Sequence, residues 1–281
     1  MFWYIGAGVA LAGTCIAAVI DVRTKEIPNV LTLGMIAAGA ILSAGRIFLG
    51  EPWLLMLPSM GMAVGLAWLL WRAGLFGGGD AKLMMGIALL VPLYPGGLSF
   101  LPTFFIMLAL ASFVHYFIFG LVAMVRRRRV LPALLFAAVP AGAALAMFYA
   151  ARMLFPWPHI AALLALALAA DLVSPLLPYR RVVAVDDGLE GMLLAETVGL
   201  RNGRVVRDPV PSSLLRRIVH DSPEMDEVIA SPCHLGVQPG DIERLRGVVD
   251  EVAVFPAFPF APVILAALVL ALAFGNVVPV P

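Results

Sequence analysis

Charged residues are scarce in this 281-residue chain, at 13% of the total, whereas 62% of its residues are hydrophobic. A soluble domain normally carries about 25% charged residues to cover its surface. The sequence therefore excludes a protein surrounded by water on all sides and predicts one that is embedded mostly in a lipid bilayer. The formal net charge is only +1, and its basic residues form short clusters between apolar runs. No nucleic-acid partner is predicted.

Cysteine is also nearly absent, with Cys15 in an apolar run and Cys233 in a polar region. Two such residues exclude a disulfide framework and a paired-cysteine zinc site, so no metal or cofactor is predicted. The N-terminus has no basic segment, and no small-residue cleavage site precedes Asp21. We therefore expect the first apolar run to be kept as a membrane helix instead of being removed as a signal peptide.

Long apolar runs are abundant, and a membrane helix needs about 20 such residues. The runs predict an all-α polytopic membrane helix bundle of about eight transmembrane helices. Seven spans remain an alternative, because Asp171 and nearby prolines weaken the seventh run. The predicted spans are Phe2–Ile20, Ile27–Phe48, Trp53–Trp71, Ala81–Pro95, Ser99–Val125, Val130–Phe155, Pro158–Leu177 and Phe260–Val280.

The basic residues predict the orientation of these spans, because Lys and Arg concentrate in cytoplasmic loops. With the N-terminus outside the cell, the outer loops contain only Arg46 and Arg152. We therefore expect a multi-pass protein of the cell membrane with its N-terminus outside. The inner loops then contain Arg23, Lys25, Arg72, Lys82, Arg126, Arg127, Arg128, Arg129, Arg180 and Arg181.

The chain is predicted to have three parts. Residues 1–179 form a transmembrane core, residues 180–256 a small soluble α+β domain on the cytoplasmic side, and residues 257–281 a final transmembrane helix. The middle part contains most of the acidic residues and short β-like runs such as Arg204–Val206. Helical segments are predicted there at Ser212–His220 and Asp241–Val249, which begin with capping residues.

Two aspartates are predicted to reach the same cytoplasmic face. Asp21 ends the first span, and Asp80 follows Gly77, Gly78 and Gly79 at the start of the fourth. A charge at membrane depth costs about 2.5–3.5 kcal/mol on insertion scales, so such residues are candidates for function. The alternatives are that Asp21 balances nearby basic residues at the interface and that Asp80 caps a helix.

A facing pair of carboxyl groups suits the hydrolysis of a peptide bond. Two close carboxylates cannot both ionise cheaply, so they share a proton. The ionised one can accept a proton from water while the protonated one polarises the carbonyl and protonates the leaving amine. The three glycines would let a substrate strand approach the backbone closely. A cation- or proton-coupled transporter with buried acids remains an alternative at this point.

The arrangement of these residues resembles the prepilin peptidase family, the GxGD membrane aspartyl proteases that process type IV prepilins and archaeal preflagellins (prearchaellins). Asp21 is followed by Ile27, Pro28 and Asn29, and the later motif is Gly77-Gly78-Gly79-Asp80-Ala81-Lys82. The resemblance covers about the first 130 residues. Its implication is that Asp21 and Asp80 are the catalytic pair.

The resemblance also implies a substrate, a membrane protein with a short basic leader before a hydrophobic helix, cleaved on the cytoplasmic side. We assign Gly77, Gly78, Gly79, Lys82, Pro28 and Asn29 to substrate binding. Bifunctional members of the family carry an N-terminal segment with paired cysteines, and they also methylate the product. This sequence has neither that segment nor the paired cysteines, so no methylation is expected. Further alternatives are a presenilin-like intramembrane protease and a non-catalytic membrane assembly factor.

Overall fold

The computed structural model describes residues 2–72, 76–126, 130–151, 165, 168–169, 180–211, 223–233, 236–255 and 258–275. The described chain forms two compact units, Met1–Val114 with Ala257–Pro281, and His115–Pro256. The first unit is helical and contains both aspartates. The second contains the described β-strands.

The helices of the first unit are α1 (Phe2–Thr24), α2 (Asn29–Phe48), α3 (Trp53–Arg72), α4 (Gly78–Leu90), the start of α5 (Leu101–Arg126), and a last helix that we label α8 (Ala261–Phe274). Helix α4 is the centre of this unit, since it packs against α1, α2, α3 and α8. Its side chains Leu83, Met84, Ile87 and Leu90 are almost completely buried.

Small residues set the close packing around α4. The Cα of Gly6 in α1 faces the backbone of Leu90, and a Cβ at Gly39 in α2 would lie 2.6 Å from the side chain of Leu89. Ser43 of α2 also donates a hydrogen bond to the carbonyl oxygen of Leu89, at 2.7 Å. Close approach of backbones through small residues is typical of helix packing in membranes. Helices α1 and α2 therefore pack closely against the C-terminal end of α4.

Four helices are long and apolar enough to cross a membrane among the residues that the structure describes: α1, α2, α3 and the Leu101–Val122 part of α5. The predicted fourth span, Ala81–Pro95, is a 13-residue helix in the structure, because Val91 leaves the helical conformation just before Pro92. At 1.5 Å per residue it measures about 20 Å, short of a hydrocarbon core of about 30 Å. The predicted final span is likewise shorter, with 14 residues.

The count of about eight spans is thus not confirmed. The prediction of a mostly helical protein with several apolar helices and a small β-containing insert is confirmed. Helix α6 spans Val130–Ala151. The predicted seventh span, Pro158–Leu177, lies almost entirely outside the described residues. So does the predicted helix at Ser212–His220.

Two antiparallel three-stranded sheets lie in the second unit. One has the order β1-β6-β2, with β1 at Arg181–Ala184, β2 at Leu193–Leu194 and β6 at Glu251–Phe255. The other has the order β4-β3-β5, with β3 at Glu196–Arg201, β4 at Arg204–Pro209 and β5 at Glu227–Ala230. Helix α7, Pro239–Arg246, buries Ile242 and Leu245 in the core that the sheets share. This helix begins two residues before the predicted start at Asp241 and ends earlier than Val249.

Candidate active site

Asp21 lies in the last turn of α1, and its side chain is buried. The helix ends at Thr24 because Lys25 has a positive φ of 62°, a left-handed conformation that stops an α-helix. The carboxylate atom Oδ2 of Asp21 accepts a hydrogen bond from the backbone N–H of Ala261, at 2.9 Å. The first turn of α8 thus holds the carboxylate that ends α1, across 240 residues of sequence.

Asp80 lies in the first turn of α4, outside the four helices that are long enough to cross a membrane. Its Oδ2 atom accepts a hydrogen bond from the backbone N–H of Gly77, at 3.2 Å, so it caps the helix that it begins. The pKa of Asp80 is raised from 3.8 to about 7, first by burial and second by the charge of Asp21, against the lowering effect of the Gly77 N–H. The two carboxyl groups are therefore close enough to interact.

The glycine run packs against the other half of the motif. A Cβ at Gly79 would lie only 3.0 Å from the Cβ of Ile27, whereas one at Gly78 would lie 3.6 Å from Nε1 of Trp71. Gly78 and Gly79 are the first residues of α4, and neither has a positive φ. A side chain at Gly79 would thus be tight against Ile27, whereas the backbone conformation at Gly79 is one that other residues adopt.

Asn29 and Lys82 are joined directly. Asn29 begins α2 after Pro28, whose carbonyl oxygen accepts the N–H groups of Leu31 and Thr32. Oδ1 of Asn29 accepts a hydrogen bond from Nζ of Lys82, at 2.7 Å. Through this contact the start of α2 is tied to α4, two residues after Asp80.

The aromatic rings of Phe76 and Phe260 are in contact, with centroids 5.0 Å apart. Phe76 precedes the glycine run that leads to Asp80, and Phe260 precedes Ala261, whose N–H binds Asp21. The ring contact therefore joins the segment before Asp80 to the segment that binds Asp21. Sequence reasoning missed both Phe260 and Ala261. The donor from Ala261 is a backbone group and leaves no signal in the residue type, whereas the prolines around Phe260 indicated only how the last helix begins.

All eight predicted site residues therefore lie at one end of the first unit, where α1 ends and α2, α4 and α8 begin. Their catalytic and substrate-binding roles stay predictions. Within the described ranges, no group of three or more His, Cys, Asp or Glu side chains could hold a metal ion. Two carboxyl groups, one held by an N–H group and the other with a raised pKa, can act as a base and an acid toward one substrate.

Comparisons with known proteins agree with the motif. Residues 8–123 match the model of the type IV leader peptidase family. A curated relative, the prepilin peptidase EppA of Methanothermobacter thermautotrophicus, is 30% identical over 95 residues. That match covers 33% of this chain and 25% of the relative, so the chain spans about a quarter of the length of the relative that it matches. No solved structure matches the chain significantly.

Proposed function

We propose that this chain is a membrane aspartyl endopeptidase, because residues 8–123 match the model of the type IV leader peptidase family. It removes the short basic leader from prepilin- or prearchaellin-type membrane proteins. The observation that carries the proposal is the placement of Asp21 in the last turn of α1 and of Asp80 in the first turn of α4, at the same end of the first unit. The family match concerns the region that contains both residues.

The proposed chemistry gives each carboxyl group one role. Asp21 accepts a hydrogen bond from the N–H of Ala261 and acts as the base that takes a proton from the attacking water. Asp80, whose pKa is raised to about 7, acts in its protonated form; it polarises the scissile carbonyl and then protonates the leaving amine. The water oxygen forms a bond to the carbonyl carbon, and the C–N bond breaks. No metal or cofactor takes part.

The test is a cleavage assay in detergent with a prepilin-type and a prearchaellin-type substrate. Asp21→Asn and Asp80→Asn should each lower kcat by at least about 100-fold, the usual scale for an acid or base in catalysis. Asp241→Asn is the matched control, because Asp241 caps α7 through the same bond, from the N–H of Gln238 at 3.1 Å. Near-normal turnover in either of the first two variants contradicts the proposal, and so does inhibition by a metal chelator.

The cleavage position distinguishes this proposal from a presenilin-like intramembrane protease. We expect mass spectrometry to place the cut between the leader and the apolar helix. A cut deep within the apolar helix would favour the intramembrane protease instead.

The proposed topology puts the N-terminus outside the cell, with residues 180–256 as a cytoplasmic domain. Cys233 is exposed and lies in that segment. A membrane-impermeant maleimide should therefore label Cys233 in inverted vesicles but not in intact cells, in a Cys15→Ser background. Labelling in intact cells would indicate the opposite orientation.

A further inference from the structure

A shallow groove of about 590 Å³ runs between α1 and α2. Its walls are apolar side chains and glycine, among them Val9, Ile16 and Ile20 on α1, Gly34 and Ala38 on α2, and Pro28 just before α2. Both helices are long and apolar enough to cross a membrane. A membrane that both helices cross would therefore surround the groove at the depth of its hydrocarbon core.

One end of the groove lies at the candidate active site. Ile20 immediately precedes Asp21, and Pro28 immediately precedes Asn29, and both line the groove. From Ile20 the lining extends along α1 to Val9, a rise of about 16 Å at 1.5 Å per residue. An elongated molecule in the groove would thus have one end at the level of Asp21 along α1 and the rest of its length between the apolar side chains of α1 and α2.

The shape and chemistry of the walls select an apolar helix. A peptide inside a bilayer must satisfy its backbone hydrogen bonds internally, so it enters as a helix. Gly34 and Ala38 are small residues spaced four apart, which allows the backbone of a second helix to approach closely. A Cβ placed on Gly34 would contact nothing within 4 Å, so the space beside it is open.

We propose that this groove binds the apolar helix of the substrate and thereby places the peptide bond before that helix at Asp21 and Asp80. The inference rests on the proposed function, since it takes its occupant from the substrate class. What the inference adds to the proposed function is the surface that binds the substrate helix. Continuity with the aspartates favours a substrate helix over a lipid acyl chain, because an acyl chain gains nothing from that position.

The first test fills the groove. Gly34→Leu places a side chain in the open space, and replacing a glycine by leucine favours the helix intrinsically. Gly45→Leu is the matched control, because Gly45 lies in the same helix, also has open space around its Cβ, and is absent from the lining. Each variant is assayed on a substrate with its apolar helix and on a peptide truncated just after the scissile bond.

The ratio of kcat/KM for the full substrate to kcat/KM for the truncated peptide is the readout. We expect this ratio to fall at least about tenfold in Gly34→Leu, which corresponds to the loss of about 1.4 kcal/mol of binding, and to change less than twofold in Gly45→Leu. Equal ratios in the two variants would overturn the proposal.

The second test does not depend on cleavage, so it separates failure of this inference from failure of the proposed function. A photoreactive amino acid replaces Ile16, which lines the groove, or Val19, which does not; their exposures are 52% and 54%. In lipid nanodiscs with the Asp80→Asn background, Ile16 should cross-link to the substrate helix and Val19 should not. Equal cross-linking at both positions, or adducts with lipid alone at Ile16, would overturn it, whether or not the wild type cleaves that substrate.

Discussion

Nζ of Lys82 donates a hydrogen bond to Oδ1 of Asn29, at 2.7 Å. The two residues are 53 positions apart in sequence, and each belongs to a different half of the motif that suggested a peptidase. Lys82 follows Asp80 within one turn of α4, and Asn29 begins α2. Their contact gives a physical reason for finding the two halves of the motif together, because it fixes the start of α2 relative to the helix that carries Asp80.

The first prediction concerns this contact. Lys82→Met and Asn29→Ala should each lower kcat/KM, and the double variant should lose little more than either single one, since both remove the same bond. A coupling free energy of about 1 kcal/mol is expected for one solvent-accessible hydrogen bond. A double-mutant cycle on kcat/KM measures it. Additive losses would mean that the two residues act independently and that the contact has no role in the site.

The backbone N–H of Ala261 gives the second prediction. Replacing Ala261 by lactic acid turns this amide into an ester, which removes the donor to Asp21 and keeps the side chain. A hydrogen bond to a charged group contributes about 1.5–3 kcal/mol, so kcat should fall by about 10- to 150-fold while KM changes little.

The control for the ester at Ala261 is the equivalent ester at Val263. The N–H of Val263 bonds to the carbonyl oxygen of Phe260, at 2.9 Å, within the first turn of the same helix. The ester at Val263 removes one backbone hydrogen bond from α8 and leaves the hydrogen bond to Asp21 in place. If both esters reduced kcat equally, the effect would come from the helix and not from the carboxylate.

The sequence allowed the helical core, α1 to α3 and the grouping of the motif residues to be predicted, because each depends on apolar runs and on residue types. It did not allow the length of α4 to be predicted. Apart from Lys82, the run Ala81–Pro95 is apolar, but its last five residues, from Val91, lie beyond the end of the helix. There the N–H of Tyr94 bonds to the carbonyl oxygen of Leu98. Tertiary packing decides where such a helix stops.

The contribution of α8 to the site could not be predicted either. The segment around Ala261 is separated from Asp21 by most of the chain, and its donor is a main-chain group that every residue except proline has. Only the fold brings it to Asp21. By contrast, the contact of Lys82 with Asn29 joins two side chains that the motif had already selected.

The third prediction distinguishes two neighbouring glycines. Gly79→Ala would place a Cβ 3.0 Å from the Cβ of Ile27, so Ile27 and the turn that leads to Asn29 must move; Gly78→Ala would meet only Nε1 of Trp71, at 3.6 Å. We therefore expect Gly79→Ala to lower kcat/KM at least about tenfold, as misplacement of catalytic groups commonly does, and Gly78→Ala to change it by less than threefold. Parallel cleavage assays measure both. A larger loss in Gly78→Ala would contradict the assigned packing.

The fourth prediction follows from the raised pKa of Asp80. As the acid of the proposed reaction, Asp80 must be protonated, so kcat should fall as the pH rises through about 7. The same shift affects stability. A carboxyl group whose pKa is 3.8 when unfolded and about 7 when folded stabilises the fold fully below pH 3.8, and this contribution is lost as the pH rises to about 7.

The Asp80→Asn variant isolates this effect. Its side-chain oxygen can still accept the N–H of Gly77, whereas its amide cannot ionise. The melting temperature of the wild type should therefore decrease relative to that of Asp80→Asn between pH 4 and pH 7, and the difference should become constant above about pH 7. Thermal unfolding of both proteins in the same detergent across that range measures it. Because the two proteins differ only at residue 80, parallel curves would mean that the pKa of Asp80 is not raised, and the proposed acid role of Asp80 would then fail.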